Sequence, residues 1–370
     1  MIEFKDLTLR EGSQIPGLEI SASAGRAVVD ELARLDVGCV ELSFPRATPR
    51  ESWYRHAESL GLRTAALARS LPADVDAALA VAPDEIELLA TTSDVQLEHA
   101  LGASREESRA MLVESVERAR DGGAAVGVTL MDAVRADDAF LTACARAAVD
   151  AGAKHVTLAD TTGSGTPATV RTTVSAVVDA VGGDAGVTIH AHDDMGVAAA
   201  NAAVGVSAGA TAVDATVGGV GERAGNAPLE AVAVLLSERG EDVGLDRSEL
   251  VPACRRVHEA LGIEVPPSTP VLGERVYRHE SGLHTAAMLR EPSTYEAFDP
   301  ADYGGERALL FGTNTGAGAV RALLAGVGVD PTDERVADGR EAIHAAAVER
   351  GDPLAEREAR GLLRERFGAS

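Results

Sequence analysis

The sequence has little lysine, few aromatic residues and few cysteines. Lysine occurs only at positions 5 and 154, aromatic residues make up 3% of the chain, and three cysteines are spread over 370 residues. Cys39, Cys144 and Cys254 lie far apart and show no metal-binding spacing. We therefore expect them to be small buried residues in the reducing environment of the cytoplasm.

Long apolar runs are also missing. No stretch approaches the roughly 20 apolar residues that a helix needs to cross a bilayer. The first residues, MIEFKDLTLREG, are charged and β-like, which is not typical of a signal peptide. The sequence thus predicts a cytoplasmic protein with no membrane as a partner.

Positive charge is scarce relative to negative charge. Lys and Arg number 34 and Asp and Glu number 58, which gives a formal net charge of −24. So acidic a field excludes nucleic acid and anionic membranes as expected partners. Concentrated salt would screen the self-repulsion, which predicts a halophilic source. A GC-rich genome that favours Ala, Arg and Gly codons is the alternative explanation.

Short, apolar, β-rich runs alternate along the chain with longer stretches of helical spacing. Eight such alternations over roughly 240 residues predict the α/β class, namely a (β/α)8 TIM barrel with a small C-terminal α-rich extension. An open doubly wound sheet would need a glycine-rich loop after the first strand, where the sequence reads TLREGSQ. The predicted strands are Ile2–Leu9, Cys39–Phe44, Thr64–Ala68, Glu85–Leu89, Ala125–Leu130, His155–Leu158, Val187–His192 and Ala212–Val217.

The alternation ends at a proline-rich segment, Pro266–Pro270. We predict a catalytic barrel at 1–265, a linker and subdomain at 266–330 that lends residues to the active site, and a small helical subdomain at 331–370. Residues 271–330 carry irregular polar motifs, whereas Thr332–Arg350 and Pro353–Phe367 are typical of charged helices.

Polar residues follow the predicted strands at the ends where barrel enzymes place their active sites. These residues are Arg10, Glu11 and Gln14 after the first strand, Asp132 and Arg135 after the fifth, Asp160 to Thr162 after the sixth, His190 to Asp194 at the seventh, and Glu222, Arg223 and Asn226 after the eighth. Chemistry-bearing side chains are therefore expected to meet at one mouth of the barrel.

His190 and His192 are the strongest indication of a metal site in the sequence. Residues two apart on a strand share a face, so both imidazoles can bind one metal, whereas a lone buried histidine is more often a core residue. A carboxylate from Glu11 and the amide oxygen of Asn226 complete an N₂O₂ ligand set. This set suits Mn²⁺, Zn²⁺, Co²⁺ or Mg²⁺, which would polarise a ketone oxygen.

Two further features have both a structural and a functional interpretation. Arg10, next to Glu11, forms either a surface ion pair or a fixed positive charge for a developing oxyanion. His279 and His284 lie beyond the barrel; they are either solvated loop residues or part of a site that faces a barrel mouth of the same or a symmetry-related chain.

Six segments together resemble the metal-dependent acyl-CoA synthases, which are the homocitrate, isopropylmalate and citramalate synthases, relatives of HMG-CoA lyases. The segments are DLTLREGSQ at 6–14, TSDVQLEHALGASREE at 92–107, ADTTG at 159–163, HAHDDMG at 190–196, GGVGERAGNAPLE at 218–230, and HESGLH with PSTYEAFDP within 279–300. The resemblance implies a pyruvate carboxyltransferase-like barrel at 1–265 and a role in amino-acid biosynthesis.

The resemblance also implies a role for each site residue. It implies a divalent metal on Glu11, His190, His192 and Asn226, an enolate and alkoxide stabilised by Arg10, a 2-oxo acid held by Gln14, Arg135 and Thr161, and a general base or acid at His284. Acetyl-CoA is the implied co-substrate. In this family His284 is expected to reach the active site of the other subunit, so we expect a homodimer with shared sites.

The implied function is an acyltransferase that condenses acetyl-CoA with a 2-oxo acid and hydrolyses the thioester. Glu11 and PSTYEAFDP favour 2-oxoglutarate; 2-isopropylmalate and citramalate synthesis are the alternatives. A lyase that cleaves 3-hydroxyacyl-CoA is another alternative, but GGVGERAGN lacks the cysteine that such lyases carry in this loop. A non-catalytic or regulatory barrel is the last alternative. The short segment after Val329 predicts no domain for leucine feedback.

Three positions depart from the family pattern. Asp193 stands where the family carries Asn, and Met131 stands where it carries a glutamate. The segment FGTNTGAG at 311–318 lacks a histidine that family members often have there. These departures concern substrate choice and acid–base chemistry.

Overall fold

The computed structural model describes residues 1–368 and divides into two compact units, Met1–Val265 and a second unit that begins at Pro266. No helix within 1–368 has the length and apolar character needed to cross a membrane. The finer division that we predict at residue 330 stays a prediction.

The first unit is a closed barrel of eight parallel strands, in which β1 pairs with both β2 and β8. This arrangement confirms the predicted (β/α)8 TIM barrel. The strands are β1 Glu3–Asp6, β2 Cys39–Ser43, β3 Thr64–Arg69, β4 Glu85–Thr91, β5 Ala125–Met131, β6 His155–Asp160, β7 Gly186–Ala191 and β8 Ala212–Ala215.

Helices surround the barrel, and some of them begin at a side-chain cap. Ser104 and Glu107 form a capping box at the helix Arg105–Asp121, and Thr166 accepts a backbone hydrogen bond at the helix Pro167–Val181, where Pro167 occupies the first turn. The helices are α1 Thr8–Gly12, α2 Ala22–Arg34, α3 Glu51–Ser59, α4 Pro72–Ala80, α5 Asp94–Gln96, α6 Arg105–Asp121, α7 Asp138–Ala151, α8 Pro167–Val181, α9 Ala198–Ser207, α10 Leu229–Ser237 and α11 Leu250–Leu261, with a π-helical turn at Leu97–Leu101.

The first strand is shorter than predicted. Its early end places two of the predicted site residues on a helix instead of a strand. We predicted a strand over Ile2–Leu9, but β1 ends at Asp6 and α1 begins at Thr8. The Asp6 carboxylate accepts hydrogen bonds from the Thr8 amide (2.9 Å) and hydroxyl (2.7 Å), which turns the chain out of the strand. Arg10 and Glu11 therefore lie on a helical turn at the barrel mouth.

The second unit contains a small three-stranded sheet with four helices and its own apolar core. Residues 271–330, whose sequence motifs are polar and irregular, contain two helices and two strands. We predicted a helix from Pro353, but it begins at Glu356 because Leu354–Ala355 pair with a strand. The elements are β9 Arg278–His279, α12 Gly282–Met288, β10 Ala308–Phe311, α13 Ala317–Gly326, α14 Asp333–Arg350, β11 Leu354–Ala355 and α15 Glu356–Phe367.

Candidate metal and substrate site

A cavity of about 140 Å³ lies at the carboxyl-terminal mouth of the barrel, and we call it the metal pocket. Side chains from seven of the eight strands, or from the loops that follow them, line it. They are Arg10, Glu11, Gln14, Leu67, Leu89, Thr129, Met131, Ala159, Thr161, His190, His192, Asp214 and Glu222.

Arg10 is held by two carboxylates. Its Nε donates to Glu41 Oε1 at 2.5 Å, and its guanidinium also bonds Glu11. Burial opposes the charge of Arg10, but these two carboxylates outweigh burial and raise the pKa of the guanidinium. Gln14 Nε2 lies 3.4 Å from Glu11 Oε2. The helical turn α1 and Gln14, which follows it, thus supply a fixed cation, a carboxylate and an amide to the same pocket.

The two histidines converge as their spacing predicts. His190 lies in β7, and His192 follows the strand by one residue. Their Nε2 atoms are 3.3 Å apart, and His190 Nε2 is 3.7 Å from Glu11 Oε1. The ligand atoms of Glu11, His190 and His192 all lie within 4.8 Å of one another. His192 also pairs by its backbone with Asn226, which brings the glycine-rich loop to the histidines.

The donor set suits a divalent cation. Burial and the neighbouring His190 lower the pKa of His192 to about 3, so this imidazole is neutral and has a free lone pair. Burial raises the pKa of Glu11, but the neighbouring Arg10 guanidinium is the largest of the opposing causes, which together hold that pKa below its usual value. Among the described residues, the buried atoms His192 Nδ1 and Asn226 Oδ1 have no hydrogen-bond partner. Asp214 Oδ2 lies 3.4 Å from His190 Nδ1 and orients that ring.

Thr161 lines the metal pocket, but Arg135 does not. The Arg135 guanidinium makes two bonds to Asp132, at 2.8 and 2.7 Å. Asp132 is buried; it also accepts a hydrogen bond from Ser93, and its backbone amide donates to Thr161 Oγ1 at 2.8 Å. Arg135 is therefore linked to the pocket through Asp132 and Thr161.

The loop after β8 is shaped by its glycines and held by ion pairs. Gly218 has a φ of +61°, and a side chain there would meet His258 Nε2 at 2.0 Å. Arg223 in the same loop bonds both carboxylate oxygens of Asp194 at 3.0 Å and the Thr161 carbonyl at 2.8 Å. These bonds hold the loop that carries Asn226 against the loops after β6 and β7.

Asp193, one of the departures from the family pattern, has a local structural role. Its Oδ1 accepts a hydrogen bond from the Ala198 amide at 2.7 Å, at the first turn of α9. Asparagine and aspartate serve equally well in this capping role. The substitution therefore leaves the three clustered ligand side chains in place.

Sequence reasoning missed several lining residues that lie inside strands. Asp214 in β8 and Leu67 and Leu89 in β3 and β4 face the metal pocket, and Glu41 in β2 contacts Arg10. An acidic residue within an apolar strand run, as in CVELS and AVDA, is a signal that points to both carboxylates. No comparable signal marks the leucines, because apolar residues are expected throughout a barrel interior.

A second group with ligand-like geometry lies deeper in the barrel. Glu85, Glu87 and His155 bring their donor atoms within 4.8 Å of one another. Lys5 Nζ, however, lies 3.1 Å from Glu85, 2.7 Å from Glu87 and 3.2 Å from His155. The buried ammonium occupies the position that a cation would take, so this group is an internal salt-bridge network.

His284 belongs to the second unit, on α12. Its ring stacks on Tyr295 with centroids 3.9 Å apart. Nearby, His279 Nε2 lies 3.8 Å from Glu296, whose carboxylate binds Arg307 at 2.6 and 2.5 Å. The motif that follows the barrel is therefore ordered by aromatic stacking and by ion pairs of its own.

Residues 1–257 match the HMGL-like family model. The chain belongs to the HMGL-like family. Residues 271–351 of this HMGL-like protein match a second model, described as homocitrate synthase post-HMGL domain-like. The two matches fall in the two compact units of the structure.

Curated relatives of this HMGL-like protein are synthases. Homocitrate synthase AksA of Methanopyrus kandleri is 41% identical over 335 residues, which cover 90% of this chain and 84% of the relative. The 2-isopropylmalate synthase of Sulfolobus acidocaldarius is 34% identical and covers 96% and 93% of the two chains. The predicted family and its acyltransferase class are confirmed.

Solved structures show the same barrel. The HMG-CoA lyase from Brucella melitensis superposes with a TM-score of 0.63 at 24% identity, over 70% of this chain and 99% of that chain. The HMG-CoA lyase from Bacillus subtilis gives a TM-score of 0.60 at 21% identity, over 72% and 95%. At these identities the likeness shows a shared fold alone.

Proposed function

We propose that the protein condenses acetyl-CoA with a 2-oxo acid and hydrolyses the resulting thioester. One observation carries this proposal: the arginine Arg10 and the cluster of Glu11, His190 and His192 share one pocket at the barrel mouth. Claisen condensation needs a polarised ketone and a cation for the oxyanion. The acceptor favoured by the sequence is 2-oxoglutarate; 2-oxoisovalerate and pyruvate are the alternatives.

Glu11, His190, His192 and Asn226 are the residues that we propose to hold a divalent metal, of the class Mn²⁺, Zn²⁺, Co²⁺ or Mg²⁺. The unpartnered Asn226 Oδ1 and the neutral His192 support this set. When bound, such an ion acts as a Lewis acid on the ketone oxygen. Asp214 keeps the His190 ring oriented toward the other ligands.

The other side chains bind the acid and move protons. Arg10, fixed by Glu41, presents permanent positive charge to the oxygen that becomes an alkoxide. Gln14 and Thr161 bind the 2-oxo acid from the pocket wall, and Arg135 acts on Thr161 through Asp132, whose carboxylate it binds. His284 acts as the general base or acid at the acetyl methyl group.

We propose that the protein is a cytoplasmic homodimer from a halophile, in which His284 of one chain serves the barrel of the other. Mixing inactive Arg10→Ala and His284→Ala proteins, with subunit exchange, should then restore activity, because one site in a mixed dimer keeps both residues. Exchange demonstrated by mass spectrometry without any returned activity would contradict the shared site.

The function is tested by CoA release from acetyl-CoA with 2-oxoglutarate, 2-oxoisovalerate and pyruvate, side by side in molar KCl. We expect release that depends on one of these acids, that is lost on exhaustive chelation and that returns with a divalent metal. A protein that releases no CoA with any acid but cleaves a 3-hydroxyacyl-CoA is a lyase, which would overturn the proposal. The absence of the lyase cysteine from residues 218–226 favours the synthase.

A further inference from the structure

A second, larger cavity adjoins the metal pocket, and we call it the side chamber. It encloses about 480 Å³ and shares two lining residues with the metal pocket, Leu89 of β4 and Met131 of β5. The remaining lining residues come from β3, β4, the π-helical turn, α6 and the loops between these elements. They include Arg69, Ser70, Ala100, Ala103 and Ser108.

In the described lining, the side chains of Ser70, Ser108 and Arg69 are already bonded within the protein. The Ser70 hydroxyl donates to the Leu89 carbonyl at 2.8 Å, and the Ser108 hydroxyl donates to the Thr91 carbonyl at 2.9 Å. The Arg69 guanidinium makes two bonds to Asp74, at 2.6 and 3.2 Å. The chamber therefore offers apolar surface and small side chains but no free cation from Arg69, the one Arg or Lys in its described lining.

We propose that the side chamber receives the apolar chain of an extended 2-oxo acid whose keto-acid end lies in the metal pocket. This inference rests on the proposed function and, within it, favours an alkyl 2-oxo acid over 2-oxoglutarate, the acceptor that the sequence favours. The metal pocket alone is smaller than the roughly 300–1,000 Å³ of typical small-molecule sites, whereas the side chamber falls inside that range. A second carboxylate placed there would meet apolar side chains and an Arg69 already paired with Asp74, so it would gain no free cation, whereas an alkyl chain would gain apolar contacts.

Leu89 and Met131 form the boundary through which the chain passes. They lie on β4 and β5, and β6 beside them leads to Thr161, which we propose to hold the acid. The acceptor, rather than the acyl donor, is thus placed next to the boundary. Methionine is unbranched and flexible, so Met131 can move aside, whereas a glutamate at that position would place a charge at the entrance.

Wild-type holoenzyme is tested with pyruvate, 2-oxobutanoate, 2-oxohexanoate, 2-oxooctanoate and 2-oxoglutarate as acceptors of acetyl-CoA. We expect kcat/KM to rise by about fourfold per buried methylene along the alkyl series. If pyruvate or 2-oxoglutarate turns over and the longer alkyl acids do not, the inference is overturned while the proposed function stands. Failure of every acid would remove the proposed function itself.

Larger side chains in the lining of the side chamber should obstruct binding there without changing the metal pocket. Ala103→Phe, and independently the more exposed Ala100→Phe, should reduce kcat/KM for 2-oxooctanoate at least about tenfold more than for pyruvate. The matched control is Ala110→Phe, at an exposed alanine of α6 outside the chamber lining, which should keep the wild-type ratio. Equal losses for all acids in both chamber variants would show that the cavity serves another occupant, such as the acyl donor or a protein segment, and would overturn the inference.

Discussion

At the scale of single residues, Arg10 carries the positive charge of the metal pocket. It is the one Arg or Lys among the described lining residues, in a protein with a net charge of −24. Its side chain is 12% exposed and bonds two buried carboxylates, Glu11 and Glu41. The strongly acidic protein thus keeps a local cation where an oxyanion is expected.

Replacing Arg10 with lysine should lower kcat by about 10²–10³, the usual loss when one oxyanion donor is removed. Lysine keeps the charge but is a mobile point charge that cannot bond Glu41 and Glu11 with the planar geometry of arginine. Bound metal, measured by elemental analysis, should stay at the wild-type stoichiometry. A kcat within a few fold of wild type would show that Arg10 is not the oxyanion donor.

Glu230 links pH to stability. Its Oε2 accepts a hydrogen bond from the Gly218 amide at 2.9 Å, its Oε1 has no partner among the described residues, and burial raises its pKa from 4.5 to about 7. The folded state therefore retains a proton that the unfolded state has lost between pH 4.5 and about pH 7. The contribution of Glu230 to stability falls as pH rises through this window and is constant above it.

Glu230→Gln removes this titration. Relative to wild type, the variant should gain stability as pH rises from 4.5 to about 7, by at most about 3 kcal/mol. Guanidinium unfolding at fixed KCl across this range measures the difference. Parallel stability curves for the two proteins would show that Glu230 does not titrate in this window.

At the scale of elements, short turns rather than long helices build the site. The Asp6–Thr8 turn converts the end of β1 into α1, and the backbone pairing of His192 with Asn226 closes the loop after β8 over the end of β7. Both are local hydrogen-bonded turns at strand ends. They bring Arg10 of α1 and Asn226 of the last loop close to the two histidines at the end of β7.

Asp193 offers a test at this scale, because its carboxylate accepts a hydrogen bond at 2.7 Å from the Ala198 amide, the first amide of α9. Asp193→Asn should retain the wild-type melting temperature, metal affinity and kcat. Asp193→Ala should lose about 0.5–2 kcal/mol of stability, the usual value of a helix cap. Calorimetry and metal titration of both variants measure this; a large loss of metal affinity in Asp193→Asn would place the side chain in the metal site instead.

At the scale of the whole molecule, acidic charge is distributed differently inside and outside the barrel. Inside, the single ammonium of Lys5 pairs with both Glu85 and Glu87, at 3.1 and 2.7 Å. Outside, arginines form pairs with exposed carboxylates, such as Arg118 with Asp76 and Arg366 with Asp338. With 58 acidic and 34 basic residues, these pairs leave a large excess of negative charge.

The melting temperature should therefore rise as KCl increases from low to molar concentration, because screening reduces self-repulsion. Differential scanning calorimetry in KCl measures the effect, and a non-ionic osmolyte at matched osmolality controls for general stabilisation. A flat or falling melting temperature would contradict the halophilic interpretation and leave the proposed chemistry unaffected.

The alternation of strands and helices, and with it the barrel, was predictable from the sequence. Amphipathic helices and apolar strands differ in period, and caps such as Ser104 mark where helices begin. The convergence of Glu11 and His190 was predictable too, since parallel strands end at the same mouth. The helical turn at Thr8 was not, because it depends on the Asp6 side chain rather than on periodicity.

The sequence by itself therefore determined the fold class, the end of the barrel where the polar side chains meet, and the convergence of His190 and His192. Only the tertiary structure decided that Asp132 holds Arg135, that Lys5 fills the inner acidic cluster, and that Leu89 and Met131 separate two cavities. The physical reason is barrel closure. It joins residues from strands far apart in sequence, and the register of each strand, which no local pattern records, decides which side chains face the same space.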